Sequence, residues 1–374
     1  MLDPGFTTEE MSAVFSAVRR VEAMAAFEAA LALALADIGI APRKEADTVA
    51  AACRHPIADP EGILAATWSE GTPLIRLLSE IRERLTEEEA RWLHHGATTQ
   101  DTVDTAAMTL AGEALGILDD RLSVLARLLA GLVVEHRAQP QIGRTFLQHA
   151  RPTTFGFRAA TWLDSTLRHV GELRERGSGL AVQLGGPVGN LAPYGDQGAD
   201  VMAALAERLG LQRPALPWHT DRSRIWSLVA SLEACARTIA RIASDVALLA
   251  SSDIAEIRVR PGGSSSMTEK RNPIDAVRAV AAASACTGAA GMIVAGSSHE
   301  LDRGIGGWHV EWMAVPMVFE TVAASVEAMT TCLEFLEVDA VRMKDRAGSE
   351  SAPVLDQRLI DRVLADYNET VGSE

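Results

Sequence analysis

Between Pro217 and Pro261 the chain carries neither glycine nor proline, and across it Ile225, Leu228, Leu232, Cys235, Ile239, Ile242, Val246 and Leu249 recur at steps of three and four. That period describes one face of an α-helix. At about 1.5 Å per residue, a helix filling the whole stretch is roughly 60 Å long. A small globular domain has no use for such a helix, whereas a long bundle or an oligomer core does. Similar Ala, Leu and Val periodicity runs over 105–136, 154–176, 196–209, 274–295 and 312–336, and alternating β-branched runs are nearly absent. The expected fold is all-α, an elongated multi-helix bundle whose Ala-rich faces let helix axes approach closely. Its expected organisation is an N-terminal helical domain (1–103), a central long-helix bundle (104–338) and a short C-terminal helical segment (339–374).

Composition narrows the class. Apolar residues are 48% of the chain, enough for a sizeable core, and the formal net charge is -15. A chain that acidic lacks the basic face a nucleic-acid partner requires. An anionic small molecule stays compatible, because a few Arg and Lys residues reverse the field inside one cleft. Cys53, Cys235, Cys286 and Cys332 are far apart with no CxxC pair. Neither a disulfide framework nor a zinc site is expected, and a reducing compartment fits. Residues 1–11 lack the basic and apolar regions of a signal peptide. The apolar stretch 25–42 is broken by Glu28 and Asp37 and reads as a buried helix rather than a membrane span. A cytoplasmic protein with no membrane partner is expected.

Three polar segments interrupt the helices, at 94–101, 183–196 and 261–273. Loops on a rigid scaffold are where chemistry is usually placed. In Gly262-Gly263-Ser264-Ser265-Ser266-Met267-Thr268-Glu269-Lys270-Arg271-Asn272-Pro273, two glycines confer mobility while Ser, Lys, Arg and Asn side chains can surround an anion. The plainer alternative is a flexible polar linker. In His94-His95-Gly96-Ala97-Thr98-Thr99-Gln100-Asp101, hydroxyls and an amide before a helix can bind a carboxylate. The alternative there is an N-cap formed by Asp101 or Asp104.

The 263–273 string resembles the GSSxMPxKxNP pattern of the fumarase/aspartase superfamily. It departs at Thr268, where proline is usual, and at Glu269. The resemblance implies a cofactor-free and metal-free enzyme whose mobile loop closes on substrate. Ser264 then exchanges a proton beside a carboxylate that Lys270 and Asn272 hold, with Ser265 and Met267 in the same loop. The 94–101 segment is similar to the family's H-x-G-x-T-S-x-D, which implies substrate contacts from His94, Thr98, Thr99 and Gln100. The segment Gly143-Arg144-Thr145-Phe146-Leu147-Gln148-His149-Ala150-Arg151-Pro152 is similar to the family's GRTHxQxAxP, implying contacts from Arg144, Thr145, Gln148 and His149.

Two departures occur together. Phe146 stands where the fumarate-releasing lyases carry an acid or relay histidine, and Val277 stands where they carry its orienting glutamate. The bacterial carboxymuconate cycloisomerases of the superfamily lack the same pair. Gln183-Leu184-Gly185-Gly186-Pro187-Val188-Gly189, Pro217-Trp218-His219-Thr220-Asp221-Arg222-Ser223-Arg224 and the 299–309 stretch also resemble that branch, adding His219, Arg222 and Arg224 as substrate contacts. The resemblance implies a small tricarboxylate substrate, closed to a lactone in aromatic-compound degradation. It also implies a homotetramer whose sites draw on three subunits, with the 225–249 apolar stripe serving that assembly. Two alternatives stand beside it: a fumarate-releasing lyase acting on an adenylosuccinate- or argininosuccinate-like adduct, and a non-catalytic helical oligomer. His149 and His219 are as readily structural as ligating, and Trp218, Trp308 and Trp312 favour packing.

Overall fold

Alanine-rich helix faces set the architecture. A computed structural model describes residues 3–267, 269–348 and 357–372. It opens with α1 (Glu9–Val14), α2 (Ala17–Asp37), α3 (Arg43–Cys53), α4 (Pro60–Ala65), α5 (Thr67–Glu70), α6 (Leu74–Arg82) and α7 (Glu87–Ala90). The long α8 (Thr99–Glu135) leads into a hairpin of β1 (Pro140–Thr145) and β2 (Gln148–Thr154), then α9 (Phe155–Ser178), α10 (Gly198–Leu209) and α11 (Ser223–Leu249). After β3 (Ile257–Arg258) come α12 (Ile274–Gly296), α13 (Gly307–Glu334), β4 (Glu337–Val338), α14 (Ala340–Ala347) and α15 (Gln357–Thr370). The fold is all-α apart from two small antiparallel pairs, β1 with β2 and β3 with β4.

Helices α8, α9, α11, α12 and α13 pack on one another as the central bundle, with α12 against α13 the most extensive contact. Buried Ala276, Ala279, Ala283 and Ala290 line the inner face of α12, small enough for the axes to close up. Helix α2 lies along α8 and buries Val21, Met24, Phe27, Leu31 and Leu35. Each such side chain contributes about 1.5–3 kcal/mol of hydrophobic stabilisation.

Two expectations need correction. The helix read across 217–261 is shorter: α11 covers 223–249, about 40 Å at the helical rise. The turn at 251–255 ends it, with Ala255 at φ 46° and the Glu256 amide folding back onto Leu249 O (2.9 Å). That turn carries Glu256 inward and frees Ile257–Arg258 to pair with Glu337–Val338. The apolar stripe from Ile225 to Leu249 does not await another subunit, because every member is at most 4% exposed within its own chain. The exposed small-residue stripe is on α12 instead, at Val277, Ser284, Gly288, Gly291 and Val294. By length and composition α12 and α13 are apolar enough to cross a membrane, yet both are integral to the bundle.

Candidate active site

A buried carboxylate organises the first loop. Fully buried Asp101, in the first turn of α8, accepts hydrogen bonds from the Thr98, Gly185 and Gly186 amides (2.9 Å each), and His219 Nε2 lies 2.7 Å from its Oδ1. One side chain thereby locks the start of α8, the glycine loop and the His219 turn together. The glycines make the room: a Cβ at Gly185 would sit 2.9 Å from the His219 ring, and one at Gly189 would sit 3.2 Å from its Nδ1. That Nδ1 is buried and has no partner among the described residues. Buried Gln100 braces the same turn, donating to His219 O (2.7 Å) and to Asp104 Oδ2 (3.1 Å).

Arg303, from the 299–309 stretch, joins this cluster. Its Nη1 reaches Thr98 Oγ1 (3.3 Å) and its Nη2 reaches Pro187 O (3.2 Å). Both acceptors are neutral, and among the described residues no carboxylate pairs with this guanidinium. Thr98, Thr99 and Arg303 therefore offer two hydroxyls and an uncompensated positive charge to an anion. Below the loop, His94 Nδ1 lies 2.9 Å from Glu28, which also accepts from Thr102 Oγ1 (2.8 Å). Burial alone would lower the His94 pKa, but the charge and hydrogen bond of Glu28 carry it above its ordinary value.

Arg222 is placed differently from a substrate ligand. It is 3% exposed and divides its guanidinium between Asp104 (2.7 and 3.0 Å) and Glu311, while Trp308 Nε1 donates to Asp104 (2.9 Å). Burial opposes its charge, yet the two carboxylates hold its pKa above the usual arginine value. It is an anchor between α8, α11 and α13. Arg224 is exposed one residue into α11.

The second segment is the β1–β2 hairpin. Thr145 pairs with Gln148 and Arg144 with His149, leaving Phe146 and Leu147 as a two-residue loop with φ of 52° and 62°. Positive φ at both positions is the type I′ geometry that normally demands Asn-Gly. Nothing in the sequence advertises it, so the hairpin was not legible as strand. Phe146 is 100% exposed, and Thr145, Gln148 and His149 are exposed around it. Arg144 points back to the base of the hairpin, where it pairs with fully buried Glu256, which also accepts from Gln141 (2.9 Å).

The third segment spans 261–273, and Thr268 lies outside the described residues. Arg260 and Asp275 clamp its base (2.7 and 3.1 Å), the Gly262 amide donates to Asn272 O (2.8 Å), and Asn272 Nδ2 donates to Gly263 O (3.0 Å). Ser264 Oγ accepts the Met267 amide (3.1 Å). Ser265, Met267 and Lys270 are exposed, and the Lys270 ammonium has no partner among the described residues.

One chain does not bring the three segments together. Thr98 and the hairpin flank a helix of 37 residues, about 55 Å from end to end. The serine loop opens α12, whose 23 residues carry the chain about 35 Å before it reaches the His299–Arg303 turn. The hairpin and the serine loop share one end through Glu256, whereas Thr98, Thr99, His219 and Arg303 occupy the other.

Known proteins resemble this chain. The sequence profile described as Lyase matches residues 5–288. The chain is 37% identical over 363 residues to a 3-carboxy-cis,cis-muconate cycloisomerase of Pseudomonas aeruginosa, covering 95% of this chain and 79% of that protein. It is 36% identical to the protein of the same name from Bradyrhizobium diazoefficiens, covering 92% and 78%. The crystal structure of 3-carboxy-cis,cis-muconate lactonizing enzyme from Pseudomonas putida superposes with a TM-score of 0.86 at 32% identity, covering 97% of this chain and 85% of that one.

Proposed function

The chain belongs to the lyase family, in its fumarase/aspartase superfamily, and we propose that it is a 3-carboxy-cis,cis-muconate cycloisomerase. The observation that carries this reading is the similarity to enzymes of that name over nine-tenths or more of the chain. The site residues support it: Ser264, Lys270 and Asn272 are retained, whereas Phe146 and Val277 leave no histidine–glutamate pair.

The reaction then needs no external nucleophile. One substrate carboxylate attacks an alkene carbon, forming the C–O bond of a five-membered lactone. The alkene's electron pair moves to the adjacent carbon, where the neighbouring carboxylate takes it up in aci form. The Ser264 hydroxyl delivers the proton to that carbon, and solvent restores the serine. Atoms and charge balance as an isomerisation followed by one net proton uptake. Lys270 and Asn272 hold the carboxylate on which charge develops, where fixed donors are worth most. Thr98, Thr99 and Arg303 hold a second carboxylate and fold the diene toward attack.

The active form in this reading is a homotetramer with sites shared between subunits. Its support is the separation of the three segments within one chain and the exposed stripe of small residues on α12. The four cysteines are unpaired and buried, which suits a reducing cytoplasm. The test is to mix the protein with 3-carboxy-cis,cis-muconate and follow diene absorbance, with adenylosuccinate and argininosuccinate in parallel. Diene loss with lactone formed and no fumarate is expected. Fumarate from either adduct without diene loss would place the protein among the fumarate-releasing lyases.

A further inference from the structure

A cavity outside the three segments lies where α13 meets the start of α2 and the α4–α5 corner. Its outer lobe encloses about 620 Å³ and shares Phe15, Arg20, Leu64, Trp312 and Pro316 with an inner lobe that reaches Asp104 and Glu311. This is the size range of small-ligand sites. None of Ser264, Lys270, Asn272, Thr98 or Arg303 lines it.

Several of its polar groups lack partners among the described residues. The Arg20 side chain makes no ion pair or hydrogen bond among the described residues, and burial without a counter-charge pushes its pKa below the ordinary arginine value. Trp312 Nε1 and His309 Nδ1, on two residues that line the outer lobe, are buried and have no partner among the described residues. Buried polar atoms are nearly always satisfied, so orphans on one cavity call for an explanation. The rings are held in place, with His309 4.6 Å and Trp308 4.8 Å from Trp312 between centroids. Glu320 also lines the outer lobe, but it is engaged by Ser12 Oγ (3.3 Å) and burial raises its pKa. What remains is a guanidinium and an indole N–H beside a wall of Phe15, Leu64 and Pro316.

We propose that this cavity binds a small aromatic carboxylate, its carboxylate meeting Arg20 and the Trp312 N–H and its ring lying against Phe15, Leu64 and Pro316. The guanidinium selects an anion, two or more acceptor atoms match the orphaned donors, and a flat apolar body fits the wall. This site goes beyond the cycloisomerase reading and does not depend on it.

Calorimetric titration of the full chain with benzoate tests the site, with benzyl alcohol as the uncharged analogue. Saturable binding of one benzoate per chain is expected, with benzyl alcohol weaker by roughly tenfold or more because the charge-assisted bonds are lost. Arg20→Met weakens benzoate by a similar factor. Trp312→Phe, which keeps the ring and removes one donor, weakens it less, and Leu64→Trp blocks it while helical circular dichroism is unchanged. Arg303→Ala retains binding. No saturable binding, or equal affinity in Trp312→Phe, Leu64→Trp and wild type, would overturn the proposal. Loss of binding in Arg303→Ala would also overturn it, by moving benzoate to the Thr98 cluster.

Discussion

In the proposed reaction Ser264 acts as an acid and so needs no neighbouring base. Its oxygen accepts the Met267 amide, and its O–H is the group that would donate to the developing carbanion of that reaction. Replacing it with alanine should lower kcat by about two to three orders of magnitude with little change in KM, the usual share of a general acid. Steady-state diene assays read both constants, and a kcat within a few-fold of wild type would remove Ser264 from the role. Arg222 offers a stability prediction instead. Arg222→Met leaves Asp104 and Glu311 buried without a counter-charge, a loss of about 3–5 kcal/mol that a denaturant titration would report. His94 adds a pH signature. Its folded pKa is raised above the ordinary 6.5, so the His94–Glu28 contribution is complete below the unfolded value and is lost as pH rises through the folded one. The Tm difference between wild type and His94→Gln should therefore be larger near about pH 5.5 than near about pH 8.5; a difference that grows with pH would contradict the pairing.

At the scale of elements, the long helices were legible because their cores repeat every three or four residues and few breakers interrupt them. Helix α8 begins at Thr99, earlier than the apolar pattern, because Asp101 caps it from inside. Helix α11 stops at a turn that carries Glu256 to Arg144, a long-range pairing that no local pattern carries. The polar loops announced themselves as motifs, but the pairing of Arg144 and Arg222 with buried acids did not: an arginine beside a motif looks the same in sequence whether it meets substrate or Glu256. The hairpin was hidden because its turn uses Phe146 and Leu147 where glycine and asparagine are expected. Left-handed backbone at bulky residues costs on the order of 1–2 kcal/mol each, and with Phe146 wholly exposed, burial of its ring does not repay it. Such strain is retained where function requires it. The double variant Phe146→Asn, Leu147→Gly relieves the strain, and the wholly exposed Phe146 ring gives up no packing within its own chain. It should cut turnover by roughly tenfold, the scale of losing one packed aromatic contact of about 1.5 kcal/mol, with far-ultraviolet circular dichroism unchanged. Unaltered turnover would take the tip out of the site.

For the whole molecule, the bundle that makes the fold stable is also what keeps the site's parts separate. Rigid helices about 35–55 Å long put the serine loop at one end of a chain and the Thr98–Arg303 cluster at the other, and in the proposed assembly a second copy brings them within reach. The central claim joins that assembly to lactone formation, and one measurement addresses both. Ser264→Ala and Arg303→Ala are purified separately, mixed, unfolded and refolded together, and assayed with 3-carboxy-cis,cis-muconate beside refolded wild type. Each variant alone should be nearly inactive, and the mixture should regain a clear fraction of wild-type diene turnover, because hybrid assemblies contain sites with an intact Ser264 from one chain and an intact Arg303 from another. A mixture no more active than the average of the two variants, while refolded wild type is fully active, would contradict the account.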